Sequence, residues 1–93
     1  MIRTFGNPIT RKLHEGSVDK KLPTEIVQRA RLKLAQLDAA TTLDFMRFPP
    51  SNRLELLQGL PKNRYSVRIN QQWRLCFIWQ EGNAYEVAIE DYH

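Results

Sequence analysis

The residues able to do chemistry gather toward the end of the chain: Arg68, Arg74, Glu90, Asp91, Tyr92 and His93, with Glu55 on a short segment before them. This set suits cleavage of an RNA phosphodiester without a metal. A base takes the proton from a ribose 2′-OH, the freed oxygen attacks the adjacent phosphate, and an acid protonates the departing 5′-oxygen. Cations stabilise the charge that develops on the phosphoryl oxygens. His93 titrates near neutral pH and can serve as acid or base. Asp91, or the α-carboxylate of the chain, could orient it. Arg74 and Arg68 could hold the phosphate, bidentately where geometry permits. Tyr92 could stack on a base or supply a hydroxyl. Glu55 is a further candidate base. Each residue taken singly has a plainer explanation, such as a frayed terminal histidine or charge scattered on an exposed sheet face. The scheme calls for no cofactor. The sequence contains no Gly-rich phosphate loop, no Cys/His cluster at zinc spacing and no G-x-S-x-G elbow.

These residues must be positioned by strands. Tyr65-Ser66-Val67-Arg68-Ile69, Trp73-Arg74-Leu75-Cys76-Phe77 and Tyr85-Glu86-Val87-Ala88-Ile89-Glu90 each alternate in polarity. Register follows from parity, since a slip of one residue sends every apolar side chain to the other face. A loop over Asn70, Gln71 and Gln72 pairs Ile69 with Trp73, Val67 with Leu75 and Tyr65 with Phe77. Asn70 is the residue expected to take a left-handed conformation there. A loop over Glu81, Gly82 and Asn83 pairs Trp79 with Tyr85, Phe77 with Val87 and Leu75 with Ile89. One face is then continuously apolar, both tryptophans included. The other is expected to be open, concave and polar, with Arg74 between Arg68 and Glu90. Like charges directly opposite destabilise a sheet, so an arginine pair at mid-strand suggests a site for an anion.

Earlier segments supply the remaining layer. Ile2 to Phe5 is a short strand candidate. Pro8 opens a short helix that Gly16 ends. Ser17 to Leu22 is polar and expected to be mobile, and His14 reads as a surface residue. Thr24 is the expected N-cap of the clearest helix, which runs to about Leu37 with Ile26, Val27, Ala30, Leu34 and Leu37 on one stripe. That stripe should cover the apolar face of the sheet. Leu43, Phe45, Met46 and Phe48 read as a compact apolar turn capped by Thr42. A short strand follows over Arg53-Leu54-Glu55-Leu56-Leu57, and then a basic loop over Pro61-Lys62-Asn63-Arg64. Helices grouped before a run of antiparallel strands predict an α+β fold.

The chain has 93 residues, of which 42% are hydrophobic and 26% charged, as expected for one globular domain over residues 1–93. No apolar run approaches the roughly 20 residues of a membrane span, and the N-terminus lacks the apolar stretch of a signal peptide. With a single cysteine, Cys76, these features point to the cytoplasm. All 14 Lys and Arg lie at or before Arg74, leaving +8 on residues 1–74 and −4 on residues 75–93. A basic body of this kind favours a polyanion, most often nucleic acid. Arg53, Lys62, Arg64 and Arg68 are the candidate contacts to an RNA backbone.

The hairpin Ser66-Val67-Arg68-Ile69-Asn70 followed by Gln72-Trp73-Arg74-Leu75-Cys76-Phe77, with the closing Glu90-Asp91-Tyr92-His93, resembles the HigB toxins of bacterial toxin–antitoxin systems, in the RelE/ParE superfamily. The similarity extends to Met1-Ile2-Arg3-Thr4-Phe5, Leu37-Asp38-Ala39-Ala40-Thr41 and Asn52-Arg53-Leu54-Glu55. The resemblance implies a RelE-like fold, with helices on one face of a mainly antiparallel twisted sheet. It implies cleavage of mRNA in the A site of the 70S ribosome, growth arrest, and neutralisation by a helix-turn-helix antitoxin of the HigA type. Contact with operator DNA would come only through that antitoxin. Carried over by position, His93 is the catalytic acid or base, Asp91 and Tyr92 support it, and Arg74 is the phosphate-stabilising cation. Some members carry a histidine and a lysine where this chain has Glu55 and Gln58. The alternative is a toxin without catalysis that binds a protein such as DNA gyrase. The titratable group at the chain end argues for the nuclease.

Overall fold

A computed structural model describes residues 1–91; the candidates Tyr92 and His93 lie outside the described residues. Two helices precede four strands: α1 (Pro8–His14), α2 (Thr24–Ala39), β1 (Glu55–Leu56), β2 (Arg64–Arg68), β3 (Trp73–Gln80) and β4 (Asn83–Asp91). Two 3-10 turns, Leu43–Arg47 and Pro50–Asn52, join α2 to β1. The sheet order is β1-β2-β3-β4, antiparallel throughout. No described helix is long and apolar enough to cross a membrane.

Helix α1 is set by its entry. The Asn7 side-chain oxygen accepts from the Thr10 backbone N–H at 2.9 Å, and Pro8 occupies the first turn where no donor is needed. Thr10 is fully buried, and its hydroxyl accepts from the backbone N–H of Ile89 at 2.8 Å. Residues 2–5 run parallel to β4 through bridges at Ile2–Ala84 and Phe5–Val87. The strand expected there is thus an added edge. Together with Thr10 it supplies acceptors for β4, which would otherwise leave N–H groups unpaired.

Helix α2 begins one residue earlier than expected. Thr24 is its first helical residue, and Pro23 stands at the cap with no side-chain bond. The helix continues past Leu37 to Ala39, and the Asp38 carboxylate there accepts from the Ile2 N–H at 2.9 Å. Ile26, Ala30, Leu34 and Leu37 are buried, and they form one core cluster with Val67, Leu75, Phe77, Val87 and Ile89, against which Trp73 and Trp79 pack. The stripe and the apolar sheet face meet as the two periodicities require. Ser17 to Leu22 is tied at its end. Leu22 is buried, and Asp19 accepts from the Lys21 N–H, a bond that holds its carboxyl below the usual carboxylate range.

The 3-10 region differs from a compact apolar turn. Met46 is buried, but Phe45 and Phe48 are exposed, and Thr42 makes no capping bond. Polar groups hold it instead. Asn52 is fully buried and donates to the carbonyls of Met46 and Phe48 at 2.9 and 3.1 Å. Gln36 donates to the carbonyl of Phe45 at 3.1 Å and also bonds that of Phe48. With two prolines in the segment, side chains take over the pairing that a regular helix would give.

The β2–β3 register is the one that parity requires: Val67 faces Leu75, Tyr65 faces Phe77 and Arg68 faces Arg74. Asn70, however, is not among the residues with positive φ. Its side-chain oxygen accepts from the N–H groups of Gln72 and Trp73 at 2.8 and 2.7 Å, so a side-chain turn replaces the left-handed residue. In the β3–β4 hairpin, Leu75 faces Ile89 and Arg74 faces Glu90 as expected, but Trp79 faces Ala84 rather than Tyr85. The loop is two residues long, with Glu81 and Gly82 both at positive φ, as a primed turn demands. An irregularity between Cys76 and Ile78, with Glu86 at φ 52°, absorbs the extra residue and restores parity.

Candidate functional site

Strand alternation places Ser66, Arg68, Arg74, Cys76, Ala88 and Glu90 on the face away from α2. Its rows run across the sheet as Arg68, Arg74, Glu90 and as Glu55, Ser66, Cys76, Ala88. The middle of this face is less open than expected: Ser66, Cys76 and Ala88 are buried. The side chains of Arg64 and Glu90 form an ion pair that reaches diagonally across β3. Burial, with the nearby Glu90 carboxylate adding to it, pushes the Cys76 thiol up to about 11. Cys76 is therefore a neutral packing group, not a nucleophile.

Arg74 is only 8% exposed. Its Nε donates to the Ser66 hydroxyl at 2.8 Å, and a terminal nitrogen donates to the Arg53 carbonyl at 2.8 Å and the Ser66 carbonyl at 3.3 Å. The same nitrogen lies 3.5 Å from a Glu55 carboxylate oxygen. The arginine pair therefore resolves differently from the sequence expectation. Glu90 lies opposite Arg74 in the ladder but bonds Arg64, while the acid beside Arg74 is Glu55. Arg68 turns away and donates from Nε to the Asn70 carbonyl at 3.2 Å. That divergence lowers the repulsion between two cations in one cross-strand pair.

The structure thus brings Arg74, Glu55 and the backbone of Arg53 together, with Arg68 and the Arg64–Glu90 pair flanking them. Arg53 itself is held at φ 46°, just after the second 3-10 turn, and this conformation presents its carbonyl to Arg74. Lys62 is exposed in the turn before β2, outside this group. Asp91 faces Trp73 in the ladder, on the helix-covered side of the sheet, and accepts from Gln72 at 3.1 Å. The register therefore separates Asp91 from Arg74, because adjacent strand positions point to opposite faces. Among the described residues, no group of three or more His, Cys, Asp or Glu side chains is placed to hold a metal ion.

The residue that the sequence reading passed over is Ser66. Its signal was present, since parity sets it on the Arg74 face one row away, where a small hydroxyl can accept from a guanidinium.

Residues 5–93 match a family model described as the RelE-like toxin of the type II toxin–antitoxin system HigB. The chain is 39% identical over 69 residues to Toxin HigB-1 of Vibrio cholerae, covering 74% of this chain and 73% of that protein. It is 29% identical over 93 residues to Endoribonuclease HigB of Proteus vulgaris, covering all of both. Among solved structures, the fold is similar to a chain of the YoeB-YefM complex from Staphylococcus aureus, with a TM-score of 0.60 at 17% identity over 100% of this chain and 98% of that one. The YoeB dimer from the same organism gives a TM-score of 0.58 at 20% identity, covering 99% of this chain and 97% of that one. A family match over nearly the whole length, on the fold the family implies, establishes that this chain belongs to the HigB family of RelE-like toxins of type II toxin–antitoxin systems.

Proposed function

We propose that this toxin is a ribosome-dependent endoribonuclease that cuts mRNA without a metal ion and so arrests translation. The observation that carries this is the held guanidinium of Arg74, fixed by Ser66 and the Arg53 carbonyl with the Glu55 carboxylate beside it. A cation anchored before substrate arrives needs no reorganisation when charge develops in the transition state. A proton leaves the ribose 2′-OH for a base, Glu55 or His93. A bond forms between that oxygen and phosphorus, the bond to the 5′-oxygen breaks, and an acid, His93, protonates the departing oxygen. Arg74 and Arg68 stabilise the phosphoryl oxygens, Tyr92 and Asp91 support His93, and Arg53, Lys62 and Arg64 meet the RNA backbone. The enzyme of Proteus vulgaris that matches along the whole chain bears the name endoribonuclease, which favours this reading over inhibition of a protein such as DNA gyrase. The partner that restrains the toxin is a HigA-type helix-turn-helix antitoxin, through which alone the pair would reach operator DNA. The site of action is the cytoplasm.

The test is primer extension on mRNA from cells expressing each variant, with circular dichroism to confirm folding. His93→Ala is expected to lower cleavage by about 10²–10⁴-fold, as loss of a proton-transfer group does. Arg74→Ala is expected to cost about 10²–10³-fold, and Arg74→Lys to rescue only part, because an ammonium lacks the planar fork. A folded His93→Ala protein that cuts at the wild-type rate removes His93 from the chemistry. Growth arrest by the wild type with no mRNA cleavage transfers the assignment to a toxin that binds a protein target.

A further inference from the structure

A second cationic site lies where α2 meets the β2–β3 turn. A cleft of about 410 Å³ is lined there by Arg29, Lys33, Arg68, Ser51, Asn70 and Gln71, among others, and no acidic residue is among the described residues lining it. Its three cations come from two elements that sequence reading placed on opposite sides of the sheet. Each is oriented by a neutral acceptor. Arg29 donates to the Ile69 carbonyl at 3.1 Å, Arg68 to the Asn70 carbonyl at 3.2 Å, and Lys33 to the side-chain oxygen of Asn52. These bonds fix direction without neutralising charge. Burial, and the Arg29 charge beside it, hold the Lys33 ammonium below the usual lysine range. Like charges gathered in one partly buried cleft are costly unless an anion joins them.

We infer that this cleft binds a phosphodiester group of RNA, at a subsite separate from the one at Arg74. Arg68 links the two, since it lines the cleft and stands directly opposite Arg74 in the ladder. One strand can then place a phosphate at each, with the cleft fixing the position of the chain and Arg74 facing the reacting group. Ser51 and the amides of Asn70 and Gln71 provide polar groups for the phosphate oxygens or the adjoining ribose. The inference rests on the reading of RNA as substrate, but its test does not depend on cleavage.

The probe is a fluorescein-labelled RNA octamer with 2′-O-methyl groups, which lacks the nucleophile and cannot be cut. Its equilibrium binding to the free toxin is measured between about 50 and 200 mM salt, where phosphate contacts dominate affinity. Arg29→Gln and Lys33→Gln are each expected to weaken binding about 3- to 10-fold at the low end. Each should also reduce the salt slope by about 0.7, the value for one phosphate on a single strand. Arg29→Gln keeps the test decisive if Lys33→Gln disturbs Asn52. Unchanged affinity and slope in a folded Arg29→Gln protein, or no binding of the octamer by the wild type, overturns the subsite. Inorganic phosphate that binds the wild type as tightly as the octamer, and no longer binds Arg29→Gln, also overturns it, because the cleft would then be a free-anion site. Uncut natural mRNA with an intact octamer effect defeats the nuclease reading alone.

Discussion

Arg74 shows how a charged side chain near the middle of a sheet is kept both buried and poised. Its Nε donates to a neutral acceptor, the Ser66 hydroxyl, itself fully buried. Ser66→Ala removes one of the bonds that hold this buried guanidinium, and loss of a buried hydrogen bond of that kind costs about 1–3 kcal/mol. The expected outcome is a lower urea midpoint together with a fall in cleavage, because the guanidinium is free to turn. Equal cleavage by Ser66→Ala and wild type, measured at a temperature where both are folded, would show that Ser66 serves stability alone.

Among the elements, the β3–β4 hairpin carries the most informative irregularity. Glu86 holds φ 52°, a conformation that costs a residue with a Cβ about 1–2 kcal/mol. Its N–H still finds an acceptor, the Thr4 hydroxyl, at 2.8 Å. Glu86→Gly removes the Cβ strain but adds chain entropy to the unfolded state, so a net gain of about 0.5–1 kcal/mol is expected. Glu86→Val, branched at Cβ, should lose more than that. Urea unfolding of the two variants decides the matter, and a destabilised Glu86→Gly would mean that the bulge is not strained. The bulge keeps Leu75 opposite Ile89 and Arg74 opposite Glu90, so it helps align the row that holds Arg74.

For the molecule as a whole, charge is divided along the chain, with +8 on residues 1–74 and −4 on residues 75–93. Arg29, Arg31 and Lys33 lie on α2, while Glu81, Glu86, Glu90 and Asp91 follow the hairpin to its end. An antitoxin that contacts mainly the basic helical side meets the larger opposite field and need not cover the site at Arg74. Hydrogen exchange of toxin with and without antitoxin is expected to show its strongest new protection in α1 and α2. Protection centred on β2, β3 and the chain end instead would mean that the antitoxin works by filling the site.

Local periodicity was enough to determine the α2 stripe, the three long strands, the β2–β3 register and the half of the β3–β4 register that carries Arg74. These depend on side chains one to four positions apart, whose directions the backbone itself sets. The sequence also carried the family, through the Trp73-Arg74 hairpin and the closing Asp91-Tyr92-His93. Tertiary structure decided which charges meet. Glu55 reaches Arg74 because β1 joins the sheet beyond β2, and Arg64 reaches Glu90 across a strand that separates them. It decided that Asn70 turns the chain by its side chain, that the extra residue of the last hairpin falls at Glu86, and that Phe45 and Phe48 stay exposed. It also gathered Arg29 and Lys33 from a helix beside Arg68 from a strand. Alternation tells which face a residue is on; only the packing of distant segments sets how far apart two charges lie, and Coulomb energy depends on that distance.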